Sequence, residues 1–99
     1  MVTGTVNGDG SVATGTGFTV TVLSTGRYRI NFSAAFSSTP AVLVTNVFGS
    51  INVDAGTSVQ PALNAVVDQA SPSFALVATG DAGGTLTSES FQFLAITKP

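Results

Sequence analysis

The chain has 99 residues, of which 8% are charged, and its formal net charge is −2. An average soluble domain contains roughly 25% charged residues, so Thr, Ser, Gly, Asn and Gln must cover much of this surface. The basic residues are Arg27, Arg29 and Lys98 only, which argues against binding to nucleic acid or to an anionic membrane. The chain has no cysteine and no histidine, which excludes a disulfide framework and a thiolate metal site.

The length predicts one domain over residues 1–99. Charged residues are depleted at subunit contacts, so the low charge content predicts that part of the surface is hidden between copies of the chain. The alternative is a neutral, Ser/Thr-rich extracellular monomer. No apolar run approaches the roughly 18 residues that cross a bilayer. Residues 1–10 lack the charged and apolar regions of a signal peptide, so we expect export by lysis or by a secretion or contractile apparatus if the domain acts outside the cell.

Residues 1–16 are rich in Gly and Thr and are predicted to form an N-terminal extension or a small hairpin. Residues 2–6 have the composition of a short strand, and residues 11–13 are its predicted return strand. Between them, Asn7-Gly8-Asp9-Gly10 is a strong turn signal, because Asn and Gly accept positive φ. The segment is too polar to bury much by itself, so we expect it to lean on a neighbouring subunit.

The clearest strands are residues 18–23 and 27–33, in which apolar and polar residues alternate with a period of two. Ser24-Thr25-Gly26 forms the predicted turn between them. Pro40 then introduces residues 41–47, which are apolar at almost every position. Two interpretations fit this third segment: a central strand covered on both faces, or a strand whose outer face meets another subunit.

The rest of the chain also consists of predicted strands separated by loops and turns. Residues 48–59 are a predicted loop, and strands are predicted at residues 61–67, 73–79 and 86–97. The intervening turns are predicted at residues 68–72 and, as a tight hairpin tip, at residues 80–84. The one helical alternative, residues 62–67, is disfavoured because Val66 and Val67 prefer strands. Together these segments predict an all-β fold, a small antiparallel β-sandwich of about six to eight strands.

The residues predict no catalytic centre, no cofactor and no metal. Without His or Cys, a serine nucleophile would need a lysine base, and Lys98 is second from the end. The acids are Asp9, Asp54, Asp68, Asp81 and Glu89. The alternative is that two of these acids pair across a cleft as in a glycosidase. However, Asp9, Asp68 and Asp81 each lie beside turn residues, where Asp is common because it forms turns well. Residues 7–11 match only the start of a calcium-binding loop, because the bidentate Glu that such a loop needs does not follow them.

The candidate ligand-binding residues are Arg27, Arg29, Asp54 and Asp81. The two arginines are two apart, so both point to the solvent face of one strand, where they can clamp a carboxylate or phosphate of a bacterial surface glycan. The competing interpretation is a cross-strand ion pair with Glu89 or Asp68. The aspartates are expected on loop tips, where binding residues are frequent.

The chain contains, in this order, the three segments GFTV…TGRYRINFSAAFSSTPAVLVT, NAVVDQASPSFALVA and SFQFLAI. Taken together, these segments resemble two groups of proteins. One is the C-terminal β-sandwich modules of phage tail fibres, with a strand–TG–strand hairpin before Phe36, Pro40 and Val42. The other is the H-type lectin fold, a six-stranded sandwich that forms trimers and binds N-acetylgalactosamine-type sugars. The resemblance covers roughly residues 17–97, and it departs from the lectins in having no Trp, with Phe93 near the expected position.

The resemblance implies a homotrimer on a virion tail or in an extracellular setting. Its implied function is that of a non-enzymatic knob of a tail fibre or tail-like particle, contributing to attachment to a host-surface glycan. Two alternatives stay open: a purely structural trimerisation or capping domain without a ligand, and a free-standing H-type-like lectin. No contact with nucleic acid and no insertion into a membrane is expected.

Overall fold

The computed structural model describes residues 1–47, 64–81 and 83–97, and within them the fold is all-β. Eight strands form two antiparallel sheets of four. The strands are β1 (Val2–Val6), β2 (Val12–Gly15), β3 (Phe18–Ser24), β4 (Arg27–Phe32), β5 (Ala41–Asn46), β6 (Asn64–Ala70), β7 (Phe74–Gly80) and β8 (Phe91–Ile96). The described residues contain no helix, and so none that is long and apolar enough to cross a membrane. The predicted all-β class is confirmed.

Sheet A has the strand order β2-β1-β8-β5, and sheet B has the order β3-β4-β7-β6. β1 and β2 form a hairpin, and β1 also pairs along its whole length with β8. Val6 is fully buried. The N-terminal segment therefore packs on strand β8 of its own chain, and the expected support from a neighbouring subunit stays a prediction.

The core lies between the sheets and is built from the inward positions of the alternating strands. Its buried apolar residues are Val6, Phe18, Tyr28, Ile30, Phe32, Ala75, Val77, Phe91, Phe93 and Ala95. The Phe18 ring meets Phe93 edge to face, with ring centroids 4.8 Å apart. Gly4 lies directly under the Phe18 ring, where an added Cβ would overlap it. Sheet A thus uses the missing side chain of a glycine to admit a large ring from sheet B.

Tyr28 ties the β1–β2 turn to sheet B. Its ring is fully buried and packs on Phe91, with centroids 5.2 Å apart. Its hydroxyl donates a hydrogen bond of 2.7 Å to the carbonyl oxygen of Gly8. A buried phenol needs such a partner, and here the partner is a turn of the opposite sheet.

Among the described strands, β5 lies at the edge of sheet A and pairs with β8 alone, which contradicts the interpretation of residues 41–47 as a central strand. Val42 and Val44 face inward and pack against the core, whereas Leu43 faces outward and is 64% exposed. The outward position of Leu43 keeps the second interpretation, a contact with another subunit, as a prediction.

Two boundaries in the C-terminal half differ from the predicted ones. β6 runs to Ala70, because a register shift between Val67 and Gln69 accommodates Asp68 within the strand; the predicted turn at 68–70 is therefore strand. The predicted strand at 86–97 begins only at Phe91. A tight turn does follow Gly80, with the Asp81 N–H donating to the Thr85 carbonyl at 3.0 Å. Gly80 and Leu86 form one antiparallel bridge across this turn, as a hairpin tip would, but the chain then crosses over, because β7 and β8 belong to different sheets.

Thr79 holds this crossover. It is the one buried polar residue of the described part of the chain, at 1% exposure. Its N–H donates to the Gly26 carbonyl at 2.7 Å, and its carbonyl accepts from the Thr87 N–H at 3.2 Å. Its hydroxyl donates to the Thr87 carbonyl at 2.6 Å and accepts from the Glu89 N–H at 3.2 Å. One residue therefore satisfies the backbone of the β3–β4 turn and of the segment that leaves sheet B.

Thr79→Val is expected to lower the free energy of unfolding by about 1–3 kcal/mol, because it keeps the shape but leaves the partly buried Thr87 carbonyl and Glu89 N–H without their partner. Denaturant unfolding at one fixed chain concentration measures the effect. Thr79→Ser is the control, since it keeps the hydroxyl and loses only a methyl group, about 0.8 kcal/mol. A valine variant as stable as the parent chain would show that the hydroxyl does not hold the crossover.

Candidate functional site

The outer face of sheet B carries the arginines. On β4, Tyr28, Ile30 and Phe32 are buried, so the alternating positions 27, 29 and 31 face outward. Arg27 pairs across the strands with Ala78, and Arg29 pairs with Leu76. The predicted placement of both arginines on one strand face follows from this alternation, and the pairing with β7 brings new neighbours to each.

Arg27 forms an exposed ion pair with Asp68. Its Nη2 lies 3.4 Å from Oδ2 of Asp68, and the two side chains are 43% and 51% exposed. Asp68 lies at the bulge in β6 and is exposed, as is Val66 two residues before it. Of the two partners that the sequence left open, Asp68 is the one in contact, while the Glu89 carboxylate accepts a hydrogen bond of 2.9 Å from the Thr87 hydroxyl.

Arg29 is held from two sides. Its guanidinium carbon lies 4.1 Å from the centroid of the Phe74 ring, on the neighbouring strand β7. Its Nε donates a hydrogen bond of 2.8 Å to Oδ1 of Asn31, and the Asn31 amide nitrogen donates to the Thr21 hydroxyl at 3.1 Å. Stacking on an aromatic ring favours a guanidinium over an ammonium, because the flat cation matches the ring face.

A small notch lies at the same end of sheet B as Arg27. It has a volume of about 260 Å³ and an apolar floor that includes Val66, Ala78 and Leu86. Asp81 lies on its rim, where its Oδ1 accepts hydrogen bonds from the N–H groups of Gly83 at 2.9 Å and Thr85 at 3.0 Å. The Asp81 carboxylate therefore shapes the turn, and it lies three residues beyond Ala78, the cross-strand partner of Arg27.

The outer face of sheet A has a different chemistry. A groove of about 610 Å³ crosses it, and one row of cross-strand neighbours runs over all four strands. That row is Thr14, Thr5, Gln92 and Thr45. The next row contains Thr3, Leu94 and Leu43. None of the described residues that line this groove is charged, so the described part of sheet A presents Thr, Gln and Leu to the outside.

The Asp9 carboxylate closes its own turn. Asp9 Oδ1 accepts hydrogen bonds from the hydroxyl of Ser11 at 2.6 Å and from its N–H at 2.9 Å. These two bonds, the hydroxyl first, lower the pKa of Asp9 because they stabilise its charged form. Among the described residues, no three acids, cysteines or histidines cluster as a metal would require.

The four candidate site residues are thus distributed unequally. Arg27 and Arg29 share one face, Asp81 lies near the end of the adjacent strand, and Asp54 falls outside the residues that the structure describes. Sequence reasoning missed Asn31 and Phe74, which hold Arg29 in place. Asn31 could have been found from the sequence, because it alternates outward with the two arginines. Phe74 belongs to the predicted strand at residues 73–79, and only the pairing of β7 with β4 brings it to Arg29.

Comparisons with protein-family models, with curated proteins and with solved structures gave no match to this chain.

Asp68→Asn is expected to change the free energy of unfolding by less than about 1 kcal/mol, since both members of the ion pair are exposed and screened by water. Thermal and denaturant unfolding at low and high salt check this. A loss above about 2 kcal/mol would contradict an exposed pair and would mean that the Arg27–Asp68 contact is shielded from solvent.

Proposed function

We propose that this chain is a non-enzymatic, homotrimeric module of a phage tail fibre or tail-like particle and that it contributes to attachment to host-surface glycans. The observation that carries the proposal is the chemical difference between the two outer faces. Sheet A presents Thr, Gln and Leu without charge around its groove, and sheet B presents both described arginines. An uncharged face suits a permanent contact between copies, whereas a charged face suits a polar ligand.

In the proposed trimer, the outer face of sheet A packs around the threefold axis, with Leu43 central to the contact. Leu43 is 64% exposed, Ile96 is 43% exposed, and both lie at the β5 end of this sheet. Exposed large apolar side chains next to one another cost solubility in a monomer and stabilise an assembly when covered. Closed cyclic symmetry provides that cover for every copy at once.

The edge strands of the two sheets also favour β5 as the strand in the subunit contact. Of the four edge strands among the described residues, β2, β3 and β6 each pair with a register shift, and β5 alone pairs with its neighbour without one. Bulges and charges are the usual protection of a free edge against other chains. β5 has neither, since its sequence is AVLVTN. Among the residues that the structure describes, this edge therefore has no bulge and no charge to keep another chain away, which supports a subunit contact at β5.

A purely structural trimerisation or capping domain is the second candidate, and one observation favours it. Two of the candidate site residues already have partners within the chain: Arg27 pairs with Asp68, and Asp81 accepts hydrogen bonds from its own turn. The free-standing lectin differs from the main proposal in its setting and uses the same ligand face.

Light scattering of the unmodified domain at micromolar concentration is expected to give three times the chain mass of 9.9 kDa. The melting temperature should rise with chain concentration, because dissociation is coupled to unfolding. Leu43→Lys is expected to abolish the trimer by placing three charges near the axis. Val66→Lys is the matched control, because Val66 is 54% exposed on the outer face of sheet B and should leave the trimer intact. A parent mass near one chain would refute the trimer.

Binding to an array of bacterial polysaccharides separates attachment from a structural role. The parent trimer is expected to bind at least one surface glycan, and a variant with Arg29→Ala and Asp54→Ala is expected to lose that binding while it keeps its melting curve. A trimer that binds no glycan and no bacterial cell would favour the capping domain instead. Binding that survives both substitutions would show that the ligand face lies elsewhere.

A further inference from the structure

The most ordered cation on the surface of sheet B is Arg29. Its guanidinium lies on the Phe74 ring at 4.1 Å, and its Nε is engaged by Asn31 at 2.8 Å. Asn31 is itself oriented, because its amide nitrogen donates to Thr21 across the β3–β4 pair. With the amide nitrogen committed to Thr21, the amide oxygen is the atom that faces Nε of Arg29.

This arrangement engages one edge of the guanidinium and leaves the other open. Within the described residues, neither terminal nitrogen of Arg29 has a hydrogen-bond or ion-pair partner, whereas Arg27 two residues away uses a terminal nitrogen on Asp68. The aromatic ring covers one face of the cation, so a ligand is best received in the guanidinium plane. Two parallel N–H groups in that plane match the two oxygens of a carboxylate.

We infer that the terminal nitrogens of Arg29, with Phe74 and Asn31 as positioning residues, bind an oxyanion of an acidic glycan, with a planar carboxylate favoured over a phosphate. The inference rests on the proposed function and names the ligand chemistry of its site. An arginine ordered in advance loses less side-chain entropy on binding, so a contact on an open surface gains affinity. Arg27 adds positive potential from the same strand face, while its own contact with Asp68 makes it the lesser ligand.

The test follows the Nε–Hε NMR signal of each arginine in the uniformly ¹⁵N-labelled domain at low salt. Sodium D-glucuronate, D-glucose 1-phosphate and D-glucose are the three probes. The Arg29 signal is expected to shift and saturate with glucuronate and to stay in place with glucose. A tighter response to the phosphate ester would make phosphate the preferred oxyanion and overturn the preference for carboxylate. No response to either anion would overturn the site.

Three variants separate the contribution of the forked, two-N–H geometry of the Arg29 guanidinium from the contribution of its charge. Arg29→Lys keeps the charge and loses the fork, so glucuronate binding should weaken about tenfold. Asn31→Ala removes the acceptor that orients Nε and should weaken binding about two- to tenfold, the worth of one hydrogen bond, with the Arg29 signal moved already in the free protein. Arg27→Gln is the matched control and should weaken binding less than about threefold, since it removes one neighbouring, screened charge.

An Arg29→Lys variant that binds glucuronate as tightly as the parent, or that loses less than Arg27→Gln, would overturn the inference, because charge alone would then explain binding. Light scattering on the same samples keeps the two proposals apart. A trimer that binds surface glycan but whose Arg29 ignores both anions refutes the ligand chemistry and leaves the attachment module standing. A domain that binds glucuronate through Arg29 as a single chain supports the ligand chemistry and refutes the trimer.

Discussion

The hydrogen bonds of the Thr79 hydroxyl are the interaction on which the rest of the sandwich depends. The chain must leave sheet B after β7 and enter sheet A at β8, and the connecting segment would bury unpaired backbone groups without a partner. Thr79 supplies one partner to Thr87 and another to Glu89, and its own backbone binds Gly26. Gly26 is required there because its φ is +75° and a Cβ would press on the Thr79 and Thr87 carbonyls.

The crossover determines how the core is filled. Once β8 lies between β1 and β5, its alternate residues Phe91, Phe93 and Ala95 meet Tyr28 and Phe18 from the opposite sheet. The glycine under Phe18 and the turn carbonyl that accepts from Tyr28 are adaptations to those two large rings. A chain of this size has little core to spare, so each large aromatic residue carries a sizeable share of the stability.

The same alternation that fills the core leaves two outer faces of unlike chemistry. On sheet A the outward residues are Thr, Gln and Leu, and on sheet B they include Arg27 and Arg29. Assembly through one face and recognition through the other is therefore a division that the fold makes available without a conformational change. In the proposed assembly, both arginines of β4 lie on the face that remains in contact with water.

The sequence by itself determined the all-β class, the β3–β4 hairpin and the face to which each residue of β4 points. These features depend on local alternation and on turn residues, which can be recognised within six or seven residues. Arg27 and Arg29 could therefore be selected in advance, and Asp68 was one of two expected partners.

Only the tertiary structure decided which strands are neighbours. The edge position of β5, the crossover after β7 and the approach of Phe74 to Arg29 all depend on pairings between distant parts of the chain. An apolar run such as AVLVTN reads the same whether its second face is covered by the chain or by a partner. Periodicity states which side chains share a face, whereas strand order follows from the packing of the whole core, and that packing places Phe74 beside the arginine it supports.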